Sequence, residues 1–263
     1  MRETTRIASA ITKNENKKVY DEYYKRILSN KQILACVMKG CIPEYEDTPL
    51  EEIPAYIELS ATESEMIDEK SIEVVDEAIP GSQIKYDIQF EAALPTKQED
   101  TKKSTCAEDR FRMIINLESQ AKDNPGYPLI KRALYYCGRL MAKQKHPKEG
   151  FQHSDYGRIK KVCSIWICIN HALQKDDVIN TYRIQETCET NIWHAAKEDY
   201  DLITAVMVYP KKEAVQTEKE IASAVEQKDE NKQRLLELLK ILFIKNLAIV
   251  DKKEQLQKGY DIL

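Results

Sequence analysis

The sequence predicts a mixed α/β (α+β) fold in which a sheet of parallel and antiparallel strands is flanked by helices, with a helical extension at the C-terminus. Residues 83–92 alternate apolar with charged or amide side chains, as expected of a half-buried strand. Residues 160–170 hold an apolar run that is typical of a strand buried on both faces. Between these segments, residues 128–144 repeat apolar side chains at helical spacing, so strands and helices follow one another along the chain.

The first predicted elements are two helices within residues 14–41, separated at Ser29 and Asn30. An acidic segment follows over residues 43–81, with short apolar islands that allow brief strands joined by loops. Its negative charge would repel a phosphate chain, so we expect this segment at the far edge of the domain.

The strand within residues 110–122 ends in polar residues that a buried strand does not need. Side chains two apart share a face of a strand, so Glu118 and Gln120 point one way while Leu117 points the other. If this strand pairs as a hairpin with the alternating strand before it, the polar faces align and Asp87 approaches Glu118. Neighbouring carboxylates repel each other unless a cation lies between them, so a bound ion is expected here.

The expected ion is Mg2+, with Mn2+ as a substitute, because both prefer oxygen ligands. The seven cysteines lie singly, and the four histidines form no close metal pair, so a zinc site is not expected. Scattered thiols in an odd number indicate a reducing compartment. The chain also lacks a signal-peptide-like start and an apolar run of membrane-spanning length, which predicts a cytoplasmic protein without a membrane partner.

Later elements follow from the same patterns. The helix at residues 128–144 leads into the buried strand, which gives a crossover beside the strand that carries Glu118. Residues 178–185 are predicted as a further strand, and residues 201–209 as either a strand or a short helix.

The chain changes character at about Pro210, so we expect one domain over residues 1–210 and a charged helical extension over residues 211–263. Within the extension, the helix in residues 229–250 is apolar on nearly all sides. Such a helix must be covered by the domain or by a partner, for which a second copy of the chain, forming a homodimer, is one candidate.

Several segments, taken in order, resemble the PD-(D/E)XK nuclease family transposases, which are relatives of the recombination-promoting nucleases. The segments run from about Thr4 to about Met207 and are TRIASAITKN, IKYDIQF, RMIINLESQ, NPGYPLIKRALYYCGRLMAKQ, RIKKVCSIWICIN and DYDLITAVM, with a further likeness in DKKEQLQKGYDIL. An Asp on one strand and a Glu-x-Gln on the next match the superfamily signature. The resemblance implies a restriction-endonuclease-like fold and a metal-dependent DNA endonuclease that promotes recombination or serves mobile elements.

The resemblance also implies roles for single residues. Asp87 and Glu118 would hold the metal ion, and the backbone carbonyl of Ser119 would complete its shell. Gln120 stands where the superfamily pattern has lysine, and an amide orients water by hydrogen bonds without supplying a positive charge. The recombination-promoting relatives also carry Glu-x-Gln, so this departure does not imply inactivity, but it leaves the general base open. Asp21 matches an Asp of the relatives' entry helix and is a further candidate.

DNA binding would depend on local basic patches, because the net charge of −4 argues against a protein that coats nucleic acid non-specifically. In the resembling family the helix at residues 128–144 packs behind the active strand, which makes Lys131, Arg132 and Arg139 candidate DNA contacts. Salt bridges on a solvent-facing side are the alternative for all three. One acid of residues 43–81 is a further candidate ligand of the metal, with no residue preferred.

Two other functions fit the same residues. One is a nuclease-fold scaffold with weak or no catalysis, which binds DNA or protein and dimerises through residues 229–250, since a fold does not guarantee an activity. The other is an interaction protein built around that helix. Loss of metal affinity and DNA cleavage in Asp87→Ala or Glu118→Gln would favour the enzyme over both.

Overall fold

The computed structural model describes residues 17–58, 65–77, 79, 82–95, 112–146, 150–190, 193–211, 229–243 and 249–260. Its helices and strands are, in chain order, α1 (Lys17–Leu28), α2 (Lys31–Cys41), β1 (Ile72–Asp76), β2 (Ile84–Ala93), β3 (Arg112–Gln120), α3 (Leu129–Lys143), β4 (Lys161–Cys168), β5 (Val178–Arg183), α4 (Lys197–Tyr200), β6 (Ile203–Tyr209), α5 (Glu230–Phe243) and α6 (Ile249–Tyr260). Short 3-10 helices lie at Pro43–Tyr45, Ile53–Tyr56, Glu69–Ser71, Tyr156–Arg158 and Leu173–Lys175.

Within this described part of the chain, six strands form one mixed sheet in the order β1-β2-β3-β4-β6-β5. Strands β1, β2 and β3 pair antiparallel, β3, β4 and β6 pair parallel, and β5 returns antiparallel to β6. The mixed sheet with flanking helices confirms the predicted α+β class. The β2–β3 pair is the predicted hairpin, although most of its loop, residues 96–109, lies outside the described residues. Residues 203–209 form a strand, which resolves the open choice between strand and helix.

The sheet has two covered faces. On the first, here called the α2 face, Ile115 and Leu117 belong to a core shared with α1, α2 and α5. On the second, the α3 face, Ile114 and Trp166 belong to a core shared with α3. Every residue of β4 is buried, which confirms the predicted strand with no solvent-facing side.

Helix α2 starts where the sequence predicts a break. Asn30 is its N-cap, and the Asn30 side chain accepts the backbone N–H groups of Gln32 at 3.0 Å and Ile33 at 3.2 Å. Such a cap satisfies donors that the first helical turn leaves unpaired. The cap fixes the turn between the two helices and therefore the direction from which α1 reaches the sheet.

Helix α5 packs on α2 and is part of the main core. Its buried residues are Leu235, Leu238, Leu239, Leu242 and Phe243. The contact needs a glycine at position 40, because a Cβ there would lie 2.8 Å from a methyl group of Leu235. The apolar side of α5 is thus covered by the chain itself, and the predicted dimer contact through residues 229–250 has no support in its described part, residues 229–243; residues 244–248 lie outside the described residues. The described helices of the predicted extension share the core of the sheet.

Strand β2 does not keep the predicted alternation. Tyr86 packs on the α3 face, whereas Ile88, two residues later, packs on the α2 face. The strand therefore changes face at Asp87, and the prediction that the four apolar residues of β2 share one side of the sheet is wrong. The reason is a local distortion that the period-2 pattern does not record.

The neighbouring strand changes face at the same level. Ile72 packs on the α2 face and Val74 on the α3 face, and their register places Glu73 opposite Asp87. Glu73 has a φ of 55°, a left-handed conformation that costs a residue with a Cβ about 1–2 kcal/mol. Strain of this kind persists only where the surroundings hold it, and it is common at functional sites.

Candidate active site

Asp87 and Glu118 meet between β2 and β3, as the sequence predicts. The backbone N–H of Asp87 donates to Glu118 Oε1 at 3.1 Å, and the backbone N–H of Ser119 donates to Asp87 Oδ2 at 3.1 Å. The regular pairing of the two strands begins only at Ile88 and Leu117. At this end of the hairpin, the two carboxyl groups therefore accept backbone N–H groups that would otherwise pair with backbone carbonyls. Each side chain is held by a backbone N–H of the opposite strand.

Glu118 is buried, with 1% of its surface exposed. Burial, followed by the negative charge of Asp87, raises the pKa of Glu118 to about 8. The N–H of Asp87, the charge of Arg132 and the amide of Asn116 act in the opposite direction. The Glu118 carboxyl group is thus mostly protonated at neutral pH, and a bound cation would favour its ionised form. Perturbed carboxyl groups of this kind are frequent at catalytic sites.

A lysine that the sequence analysis did not single out lies beside Asp87. Lys25 of α1 is buried, and its Nζ lies 3.1 Å from Asp87 Oδ1 and 3.0 Å from Glu73 Oε1. The Nζ of Lys85 lies 3.0 Å from the other carboxylate oxygen of Glu73. Hydrogen bonds from Lys25 and then from Lys85 lower the pKa of Glu73. Positive charge therefore reaches Asp87 from α1.

Glu73 belongs to the acidic segment whose metal-ligand candidate was left open. Its strand, β1, is an edge strand as expected, but it lies beside the site and not away from it. Glu73 reaches Asp87 through the shared ammonium group of Lys25. The sequence signal for Lys25 is its position next to Tyr24, within the buried stripe of α1. Glu73 carries no such signal, because its backbone angle φ cannot be read from the amino-acid composition.

The other residues of the signature keep their predicted strand. Ser119 stands opposite Ile167 in the parallel β3–β4 pairing. Gln120 ends β3, is partly buried, and accepts the N–H of Ile169 at its backbone carbonyl at 2.9 Å. Asp21 lies in α1, but its side chain falls outside the described residues.

The basic residues of α3 have different surroundings. Lys131 is exposed. The Cζ of Arg132 lies 5.0 Å from the ring centroid of Tyr136 and 5.3 Å from that of Trp166, and its Nη2 donates to the Tyr136 hydroxyl at 2.6 Å. Its charge acts on Glu118. Arg132 therefore stands beside the site on the α3 face, with Lys131 next to it in sequence at the surface.

Arg139 is not available for DNA. Its side chain is 3% exposed, and its Nη2 lies 3.1 Å from Asp76 Oδ1. Its Nη1 donates to the backbone carbonyl of Ser82 at 2.9 Å. The prediction of a DNA contact is wrong for this residue, and so is the alternative of a solvent-facing salt bridge, because the ion pair is enclosed between α3 and the β1–β2 hairpin.

The described residues contain no group of three or more His, Cys, Asp or Glu side chains arranged to hold a metal ion. The pair of Asp87 and Glu118 nevertheless fits Mg2+ or Mn2+, since Mg2+ retains several waters and needs one or two protein carboxylates. Burial and the charge of Asp87 raise the pKa of Glu118, and a cation between the two carboxyl groups would favour the ionised form of Glu118.

No protein-family model matches the chain, and searches of curated proteins and of solved structures also return no match. The likeness to PD-(D/E)XK nuclease family transposases therefore rests on the sequence segments quoted above. Among the residues that the structure describes, no helix has both the length and the apolar character needed to cross a membrane.

Proposed function

We propose that the chain is a metal-dependent DNA endonuclease with a restriction-endonuclease-like fold, and that Asp87 and Glu118 bind its Mg2+ or Mn2+. The observation that carries the proposal is the direct contact of two carboxyl-bearing residues at the distorted end of the β2–β3 hairpin. Glu118 holds its proton at neutral pH beside the charge of Asp87, and a cation placed between the two carboxyl groups would favour its ionised form. The burial of a carboxyl group is a local cost of the kind expected where function requires it.

The chain's own residues have distinct tasks in this reaction. When bound, Mg2+ would polarise the scissile phosphate and lower the pKa of the attacking water. Glu118 must release its proton to bind the ion, so metal binding is coupled to pH. Lys25 supplies the positive charge beside Asp87 that Gln120 lacks, and Gln120 orients water through hydrogen bonds.

DNA would approach from the α3 side of the site. Lys131 is exposed there, and Arg132 is the basic residue whose charge reaches Glu118. Both would neutralise backbone phosphates without reading sequence. Linkage to recombination or mobile elements is the role that the family resemblance suggests for such cleavage.

Plasmid cleavage tests the proposal. Wild-type protein should nick or linearise supercoiled plasmid with Mg2+ or Mn2+ and stop when a chelator removes the ion. Asp87→Asn and Glu118→Gln should each lower the rate by roughly 100-fold or more, since a metal supplies several kcal/mol of stabilisation to the transition state. The matched control is Asp201→Asn, which alters a buried acid beside Lys161. A rate in Asp87→Asn equal to that of wild type would contradict the proposal.

A scaffold that binds DNA without cleaving it is the second candidate. The ion pair between Lys25 and Asp87 favours it, because a lysine can neutralise a carboxylate permanently. Wild-type protein that binds DNA but cleaves it with neither Mg2+ nor Mn2+, and binds equally well as Asp87→Asn, would establish the scaffold.

A further inference from the structure

A chain of hydrogen bonds runs beneath Glu118 through polar side chains of β3 and β4. Trp166 Nε1 donates to Ser164 Oγ at 2.8 Å, and Ser164 Oγ lies 2.9 Å from the side-chain amide of Asn116. The other end of that amide lies 3.1 Å from Glu118 Oε1. Asn116, Ser164 and Trp166 are each 0% exposed. Polar groups in such a position are costly unless all of them find partners, so their orientation is tightly determined.

The carbonyl oxygen of Ile88 fixes the direction of this chain. It lies 3.2 Å from the same end of the Asn116 amide that faces Glu118 Oε1. A backbone carbonyl can only accept, whatever the protonation state of Glu118, so the amide must present its NH2 group on this side. Its two N–H donors then serve Ile88 and Glu118, and its oxygen accepts from Ser164 Oγ at 2.9 Å. Each donor along the chain has an acceptor, and Glu118 Oε1 is the last.

Glu118 Oε1 therefore receives two N–H donors, one from the backbone of Asp87 and one from Asn116, each at 3.1 Å. An oxygen that accepts both bonds has no proton of its own. The second oxygen, Oε2, is left to carry a proton or to contact a cation. These hydrogen bonds therefore determine which carboxyl oxygen of Glu118 faces a ligand.

We infer that Asn116 is the positioning residue of the site, and that Ser164 and Trp166 hold it in place. This inference rests on the proposed function, since it concerns how Glu118 is presented to Mg2+ or Mn2+. Ligands of metals are commonly oriented by such outer partners, and loss of one typically costs roughly 10–100-fold in metal affinity or activity. The consequence is a site in which Glu118 binds through Oε2 alone.

A matched pair of substitutions at Ser164 separates this role from packing. Threonine and valine have nearly the same shape, so Ser164→Thr and Ser164→Val perturb the buried strand equally, and only Ser164→Thr retains the hydroxyl. Asn116→Leu removes the whole amide at similar volume. Thr204→Val is the control, because the hydroxyl of Thr204 is buried in the same sheet and has no hydrogen-bond partner in the described structure.

Three quantities are measured for each variant: the Mn2+ affinity by calorimetry, the cleavage rate at saturating DNA, and the melting temperature. We expect Asn116→Leu to lower the affinity or the rate by roughly 10–100-fold. Ser164→Val should lose less, about threefold to tenfold, because it acts one link further away. Ser164→Thr and Thr204→Val should match wild type in both, even where their melting temperatures fall.

Each outcome decides one question. If wild type binds Mn2+ and cleaves DNA, but Asn116→Leu and Ser164→Val do the same at wild-type levels, the positioning role is overturned while the proposed function stands. The role is also overturned if Ser164→Thr loses as much as Ser164→Val, since the losses then follow packing. If wild type neither binds Mn2+ nor cleaves, the proposed function falls and the positioning role with it.

Discussion

Two buried lysines of this protein are built alike and differ in what lies next to them. Lys161, at the start of β4, has its Nζ 2.6 Å from Glu44 and 2.9 Å from Asp201. Lys25 also lies between two carboxylates, with Asp87 at 3.1 Å and a glutamate of β1 at 3.0 Å. Each lysine side chain is 9% exposed. A lysine between two acids is therefore a structural device that the chain uses twice.

The difference is Glu118. At the Lys161 cluster, the described charges are two carboxylates and two lysines, of which Lys197 is the outer one, so they balance. The cluster around Lys25 balances in the same way through Lys85, and then a further carboxyl group, Glu118, is buried against it. We infer that the first cluster is structural because its charges balance. At the second, a cation would favour the ionised form of Glu118, which otherwise keeps its proton at neutral pH.

The largest effect is expected from breaking the Lys161 cluster. Lys161→Met leaves the buried Asp201 with only the more distant Lys197, at 3.8 Å, and removes the partner of the half-buried Glu44, which should lower the free energy of unfolding by about 3 kcal/mol. Cleavage per folded molecule should not change. Chemical denaturation, with cleavage measured on the folded fraction, checks both. A specific loss of cleavage would remove the contrast between the clusters.

The pH dependence of stability sharpens the contrast at Glu118. Its raised pKa means that the folded protein holds a proton that the unfolded chain releases, so stability is full below pH 4.5 and falls as the pH rises through about 8. Glu118→Gln has no such cost, so its stability advantage without metal should grow from about pH 5 to about pH 8, at roughly 1.4 kcal/mol per pH unit, and level off above pH 8.

Denaturation curves across this pH range measure the effect. Added Mn2+ should bring wild type back towards Glu118→Gln at the alkaline end and leave the variant unchanged. If the stabilities of the two proteins change in parallel with pH, the pKa of Glu118 is not raised in the folded state, which would contradict this prediction.

Lys25→Met is the counterpart of the Lys161 substitution. It should lower cleavage by roughly 10–100-fold, since it removes the ammonium group that contacts Asp87, a proposed ligand of the metal. Its effect on stability should be smaller than that of Lys161→Met, because the acids left behind are more exposed: the Asp87 side chain is 16% exposed, against 5% for Asp201. Equal losses of stability in the two variants, with cleavage retained, would make the two clusters equivalent.

The smallest effect is expected at the surface of α3. Lys131→Ala should weaken DNA binding by a few-fold at low salt and reduce the slope of log affinity against log salt by about one. Arg139→Lys provides the comparison. Because Arg139 is enclosed and does not reach DNA, this substitution should leave the salt dependence of DNA binding unchanged. Fluorescence anisotropy at several salt concentrations distinguishes them.

The sequence predicted the parts of the site that depend on hairpin pairing. Pairing of β2 with β3 brings Asp87 to Glu118 as predicted, although β2 changes face at Asp87 and so departs from the predicted alternation. The buried strand β4 and the helix break at Asn30 also follow from local patterns. These features need no knowledge of distant contacts.

The remaining features depend on contacts that local patterns do not contain. Arg139 lies on the expected stripe of α3, but its partner, Asp76, comes from a strand 63 positions earlier, so burial could not be foreseen. Lys25 looks like an ordinary helix lysine until α1 is placed beside β1. The change of face of β1 coincides with the left-handed backbone of Glu73, which no composition or spacing encodes.

The most direct test of the account is a calorimetric titration of Mn2+, without DNA, into wild type and Glu118→Gln above pH 8, where the glutamate is ionised. The account predicts a saturable site in wild type and an affinity at least roughly tenfold weaker in the variant. It also predicts that the proton released on binding near pH 7 is absent in the variant. Equal Mn2+ affinities in the two proteins would contradict a cation shared by Asp87 and Glu118.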